Sequence, residues 1–128
     1  MRLRIATPQT IVLDAEVRRV VAEAPNGFFG MLPNHIDFVS ELVPGVLVYE
    51  TETGDHYAGI AAGTLVKCAG AVRVAVRSAI LEDDLGLLTR RVTEEILRED
   101  EAERAARSAL ARLEADMVRR ILELEMTA

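Results

Sequence analysis

Turn-making and helix-making residues occupy different parts of this 128-residue chain, and that separation constrains its fold more than any other feature. All four prolines lie at or before Pro44, and seven of the eight glycines at or before Gly70. Glycine opens backbone angles closed to other residues, and proline fixes φ while removing a donor, so both interrupt helices. Beyond Ile80 the chain is mostly Leu, Arg, Glu and Ala with a single glycine, a composition of high helix propensity. The boundary falls at Glu82-Asp83-Asp84, where an aspartate can cap a helix N-terminus and favour its dipole. A strand-rich domain over 1–82 and a helical tail over 83–128 follow from this division.

The first part reads as short strands. Arg2–Ala6 alternates polar and apolar with period two and stops at Thr7-Pro8. Ile11-Val12-Leu13 is a second strand. Glu16–Ala24 is a third, in which Arg18-Arg19 breaks the alternation; a β-bulge and a plain irregular edge strand fit that break equally. Val46–Thr51 and Asp55–Ala61 flank the hairpin turn Glu52-Thr53-Gly54. Leu65–Ala69 and Val72–Ser78 flank a turn at Gly70, with Val72, Val74 and Val76 on one face and Arg73, Ala75 and Arg77 on the other. Gly59-Ile60-Ala61-Ala62-Gly63 is made of small residues and fits a sharp bend or a close approach by another backbone. Short strands with turns every eight to twelve residues, by the general pattern, indicate a β-sandwich or flattened barrel.

One stretch stands apart. Asn26–Gly45 holds three of the eight glycines and two of the four prolines with apolar residues between them. It reads as neither a helix nor a plain strand but as an ordered, half-buried turn system, where binding residues tend to sit.

The tail carries two apolar stripes at helical spacing, Leu85, Leu88, Val92, Ile96 and Ala106, Leu110, Leu113, Met117, Ile121, Leu124. Arg98–Glu103 separates them, strongly charged and without Gly or Pro. A helical hairpin fits, and so does one helix from Leu85 to Met126, roughly 60 Å long at ~1.5 Å per residue. Either way the stripes need a surface, supplied by each other and the sandwich or by another protein.

The remaining residues exclude several functions. A net charge of −6 argues against a nucleic-acid footprint and against a polybasic membrane anchor. Cys68 is alone, so no disulfide framework is expected, and His35, His56 and Cys68 have no metal-ligand spacing. Neither a signal peptide nor an apolar run near the ~20 residues of a membrane span is expected. Lys67 is the only lysine and belongs to no phosphate-binding loop; Ser40, Ser78 and Ser108 lack a nucleophile's context. His35 reads as a satisfied structural histidine and His56 as an exposed one. No catalytic site, cofactor site or metal site is predicted.

Gly27-x-x-Gly30-x-Leu32-Pro33-x-His35, followed by Leu42-x-Pro44-Gly45, resembles the signature of the epsilon subunits of F-type ATP synthases. The likeness runs from the strand ending in Thr7-Pro8, through the Gly63-centred strands ending in Val72-x-Val74 and Ala79, to the charged tail. It implies a ten-stranded flattened β-sandwich or barrel followed by a two-helix hairpin or an extended helix. It also implies a non-catalytic rotor subunit on the cytoplasmic side of the bacterial inner membrane, peripheral to it. Such a subunit binds the gamma subunit and the c-ring, with no nucleic acid and no direct membrane insertion. It couples proton or sodium flow to ATP synthesis in the alpha/beta catalytic head, and in many bacterial members its tail extends along gamma and inhibits ATP hydrolysis. By this resemblance Asn26, Phe28, Phe29, Met31 and His35 form the rotor interface. Arg90, Arg91, Arg112, Arg119 and Arg120 are the tail's contacts with the head, although each is equally at home on a solvated helix face.

Three departures from the family pattern carry their own expectations. Phe28 stands where members often have a carboxylate just after the first loop glycine, which implies an apolar contact with the ring or a shifted one. Asp100-Glu101-x-x-Arg104-Ala105 replaces Ile/Leu-Asp-x-x-Arg-Ala, leaving Glu101, Arg104 and Ala105 as a weak remnant and arguing against nucleotide binding. The segment between the stripes is short and lacks glycine, which leaves the hairpin less well defined and implies a tail that is extended or that does not switch at all; together the departures imply a divergent member. The competing reading is a free-standing β-sandwich binding module with a helical oligomerisation tail.

Overall fold

The structure is a computed structural model that describes residues 1–127, with side chains described through Glu125. Ten strands form two five-stranded sheets. The first holds β1 (Arg2–Ala6), β2 (Ile11–Glu16), β5 (Phe38–Leu42), β8 (Gly63–Cys68) and β9 (Ala71–Val76), in the order β2-β1-β9-β8-β5. The second holds β3 (Arg19–Ala24), β4 (Gly27–Met31), β6 (Gly45–Thr51), β7 (Gly54–Ile60) and β10 (Ala79–Leu81), in the order β10-β7-β6-β3-β4. β1 and β9 run parallel, joining the first strand to the ninth; β1 and β2 are antiparallel.

The core lies between the sheets, as alternation demands. Leu3, Ile5, Leu65, Val72 and Val74 come from the first sheet, and Val20, Ala22, Met31, Leu47 and Ala58 from the second, all essentially without solvent contact. Arg73 and Ala75 face outward between the buried valines of β9. β2 runs past the predicted Ile11-Val12-Leu13 to Glu16. Asp14, a poor strand former, is held there by cross-strand arginines, with Arg2 Nε at 2.6 Å and Arg4 at 3.3 Å.

Two expectations change. Arg18-Arg19 is not a bulge, because the predicted strand Glu16–Ala24 is two pieces in different sheets. β2 ends at Glu16 and β3 begins at Arg19, so the lost alternation marks the chain crossing between sheets. Val17 and Arg18 are bridged by bonds to the Met1 carbonyl at 2.8 Å and the Glu50 carbonyl at 2.7 Å. A register irregularity does occur, opposite β2 between Ile5 and Ala6. The Asn26–Gly45 stretch is likewise more regular than a turn system. It contains β4 and β5, edge strands of opposite sheets, joined by a loop over 32–37.

The small-residue segment is where other parts of the chain come close. A Cβ added at Gly59 would lie 2.5 Å from Val92 Cγ2 and 3.1 Å from Leu88 Cδ1. One at Gly63 would lie 2.1 Å from the Ala75 carbonyl oxygen. The first gap admits a helix onto the sheet, and the second lets β9 bend close to β8.

Asp84 caps α1 (Leu85–Arg91), its side chain accepting from the Leu87 N–H at 3.1 Å. A π-helical turn over Val92–Ile96 follows, then α2 (Leu97–Thr127). Leu88, Val92 and Ile96 are spaced four apart, which drifts on a helix of 3.6 residues per turn. The extra residue of the π turn, closed by the Leu97 N–H on the Val92 carbonyl, offsets that drift. All three are buried with Ala61, against Val46, Tyr57 and Ile80. Of the two shapes compatible with the tail, the helix without a hairpin is found. No non-helical residue interrupts 85–127, and the charged segment continues the helix with i,i+4 pairs such as Arg104–Asp100 at 3.2 Å. By compactness the chain has two units, Met1–Leu97 and Arg98–Ala128.

Candidate interaction surfaces

β4 and β5 lie at the edges of the two sheets, and an open groove of about 500 Å³ runs between them, lined by Asn26, Phe28, Phe29, Phe38 and Val39 among others. Phe28 is 72% exposed and Ile36, on the connecting loop, 78%; Leu32 and Val39 are also largely exposed. Four large apolar side chains in water on adjoining elements form a patch suited to a protein surface. Phe29 stands edge-on to Phe38 at 5.4 Å, and Phe38 in turn meets His35 at 5.5 Å.

The predicted interface residues take different places. Asn26 and Phe28 are exposed, while Phe29 and His35 are half-buried. His35 Nδ1 lies 2.8 Å from the Ile36 carbonyl and its N–H donates to the Leu32 carbonyl at 2.9 Å, so the ring and backbone shape the loop. Met31 is fully buried in the sandwich core, where it anchors β4. Leu32, Ile36 and Val39 are the members of the patch that sequence reasoning missed. Their signal was an apolar residue on either side of Pro33-Asn34-His35, in a segment too irregular for a periodicity to assign a face.

His56 is not the exposed residue predicted. It is half-buried and stacked on Tyr49 at 5.5 Å, with Nδ1 3.0 Å from Asp83 and Nε2 2.7 Å from the Thr53 hydroxyl. It ties the β6–β7 turn to the residue before the α1 cap. Burial, with Asp83 nearby, pushes the Tyr49 phenol above its ordinary range.

In the second unit, Leu110, Leu113, Met117, Ile121 and Leu124 are exposed along α2, together with Val118 and Leu122. Arg90, Arg112, Arg119 and Arg120 are exposed and Arg91 half-buried; Arg91 pairs with Glu95 at 3.4 Å and Arg119 pairs with Asp116. Arg104 is bound to Asp100, with Glu101 and Ala105 exposed beside it. Among the described residues no three His, Cys, Asp or Glu are placed to hold a metal, and no helix is long and apolar enough to cross a membrane.

Residues 1–82 match the family model described as ATP synthase, Delta/Epsilon chain, beta-sandwich domain. The chain is 34% identical over 125 residues to the ATP synthase epsilon chain 2 of Cereibacter sphaeroides, spanning 95% of this chain and 86% of that one. It is 34% identical over 125 residues to the ATP synthase epsilon chain 2 of Paraburkholderia xenovorans, spanning 95% and 90%. Among solved structures it shares its fold with a chain of the Euglena gracilis mitochondrial ATP synthase OSCP/F1/c-ring assembly. There the TM-score is 0.59 at 24% identity, over 65% of this chain and 54% of that one. A chain of the Tetrahymena thermophila mitochondrial ATP synthase central stalk and c-ring gives a TM-score of 0.52 at 17% identity, over 62% and 65%.

Proposed function

The chain belongs to the epsilon family of ATP synthase subunits, and from that premise we propose that it is a non-catalytic rotor subunit joining gamma and the c-ring. The sandwich, residues 1–82, binds the rotor, and residues 83–128 form the tail that reaches the alpha/beta head and restrains ATP hydrolysis. The observation that carries the reading is the exposed set Phe28, Leu32, Ile36 and Val39 beside the groove between β4 and β5. Phe28 makes this contact apolar where a charged one would need a matching charge on the ring. In the tail, Arg90, Arg112, Arg119 and Arg120 offer cations beside the apolar stripe, a pairing suited to an acidic surface with apolar pockets. The complex works peripherally, at the cytoplasmic face of the membrane.

The test is ATP hydrolysis by the assembled head with the full chain and with one ending at Leu97, where the first compact unit ends. The reading expects the shorter chain to remain bound and the rate to rise. An unchanged rate with persisting assembly would confine the subunit's work to the sandwich. The exposed Leu110–Leu124 stripe favours one competing reading, a self-associating binding module. Sedimentation of the purified chain separates the two: a stable homodimer indifferent to gamma supports the module, and a monomer that is captured by gamma supports the rotor.

A further inference from the structure

Lys67, the only lysine of the chain, is 2% exposed. Alternation in β8 explains its direction but not its chemistry. Leu65 and Lys67 both point into the sandwich, and the neighbouring inward residues Val72 and Val74 are apolar. A buried ammonium is costly unless its protons are used. Here Nζ donates to the His35 carbonyl at 3.2 Å and to the Ala69 carbonyl. His35 belongs to the β4–β5 loop and Ala69 to the β8–β9 turn, which sit 32 residues apart in the case of Lys67 and His35. A further bond joins the same two segments, the Ala69 N–H donating to Asp37 Oδ1 at 2.9 Å. Ala69 has φ of +53°, the left-handed region that alanine rarely adopts, and both its backbone polar groups are spent on these bonds.

We infer that Lys67 is a positioning residue for the rotor contact: its buried ammonium fastens the 32–37 loop to the β8–β9 turn and so presents Leu32 and Ile36 outward. The inference rests on the rotor reading above. Leu32 and Ile36 flank the carbonyl that Lys67 holds, and their side chains are left in water while the backbone between them is fixed. Loop order gained before binding need not be gained during it, so a fixed loop binds more tightly than a free one. An apolar residue at position 67 would satisfy the core but leave the His35 and Ala69 carbonyls without this donor.

Two measurements on the full chain test this. The first is acetylation of the wild-type protein by an N-hydroxysuccinimide ester, read by mass spectrometry. Lys67 should react at least tenfold slower than a lysine in a short peptide; reaction at the peptide rate overturns the inference. Where K67M does not fold, hydrogen exchange of the wild-type chain decides: amides over 34–37 exchanging at the rate of an unfolded chain would overturn the inference.

The second compares K67M, K67R and I36A by hydrogen exchange and by affinity for the gamma–c-ring assembly. K67M keeps the aliphatic stem and removes the donors. Amides over 34–37 should exchange at least tenfold faster in K67M, with β1 and β9 unchanged, and K67R should restore protection to within threefold. I36A should leave loop exchange unchanged. Both K67M and I36A should weaken rotor binding, by about tenfold each. Loop exchange in K67M within twofold of wild type overturns the inference, as does faster exchange with unaltered affinity when I36A binds weakly. Faster loop exchange in K67M with full affinity in both variants supports the fastening by Lys67 and removes the rotor reading of this loop.

Discussion

Adding a single methyl group at Gly59 should lift the first helix from the sandwich, and the structure says which second substitution should restore it. A Cβ at this position would lie 2.5 Å from Val92 Cγ2 and 3.1 Å from Leu88 Cδ1. Carbon atoms settle at about 3.5–4.0 Å, so Val92 must retreat by about 1 Å. Overpacking of this kind costs roughly 1–3 kcal/mol. Gly59→Ala should therefore open α1 and the π turn, while the sandwich core, on the other face of β7, is spared. At a tenfold change per 1.4 kcal/mol, a cost of about 2 kcal/mol is a thirtyfold rise in the exchange of α1 amides. Val92→Ala alone removes apolar contact at a residue only 5% exposed and should cost about 2 kcal/mol. Together the changes are not additive, because removing Cγ2 vacates the space the new Cβ needs. The double variant should cost about 2 kcal/mol instead of about 4, a coupling within the range for residues in contact. The assay is native-state hydrogen exchange over 85–96 in the four proteins of the cycle. Additive effects within about 0.5 kcal/mol would refute the claim that Gly59 exists to admit Val92.

Other consequences follow from single residues. Asp14 is held below the ordinary carboxylate range, first by its hydrogen bond to Arg2 and then by the Arg2 and Arg4 charges. A lowered folded-state value stabilises the fold above the unfolded value, and that stabilisation disappears as pH falls through the folded one. Asp14→Asn should lower stability near neutrality, leave it unchanged at the acid extreme where the carboxyl is protonated anyway, and so flatten the acid limb of a stability–pH profile; an unchanged acid limb contradicts it. Asp84→Ala removes the α1 cap and should cost about 1 kcal/mol, seen as faster exchange at Leu87. Leu113→Arg with Ile121→Arg should leave sandwich stability within about 0.5 kcal/mol, since both side chains are exposed, while abolishing any effect of the tail on ATP hydrolysis by the assembled head.

How far the fold is legible in the sequence depends on whether its determinants are local. β9 is plain, because Val72-Arg73-Val74-Ala75-Val76 alternates without interruption and both its neighbours confirm the inward face. The crossing at Val17-Arg18 is not, because a bulge and a change of sheet both break alternation and only pairing with a distant strand separates them. β4 is concealed by Gly27 and Gly30, which read as turns although Gly30 simply pairs with Val21 across the strand. Nothing local decides between a hairpin and a single helix in a glycine-free charged segment. His56 is settled by Asp83, 27 residues away, which no spacing rule reaches. Lys67 was legible in part: its inward place follows from alternation beside Leu65, but its two acceptors lie in turns whose shapes depend on the folded chain.

The four sheet edges differ in a way that bears on the rotor reading. An exposed edge strand offers unpaired backbone groups to any passing chain, and proteins blunt such edges with charge or by shortening them. β2 is blunted by Asp14 and Glu16, whose carboxylates engage Arg2, Arg4 and the N-terminal amine. β10 is three residues long, with α1 following soon after it. β4 and β5 have neither protection along most of their length. They present Phe28 and Val39 to solvent, and the loop joining them adds Leu32 and Ile36. Two edges are thus guarded by charge or shortness, and the two that share a groove are left open. That asymmetry agrees with the proposed rotor contact at β4 and β5, since an edge covered in an assembly needs no defence of its own.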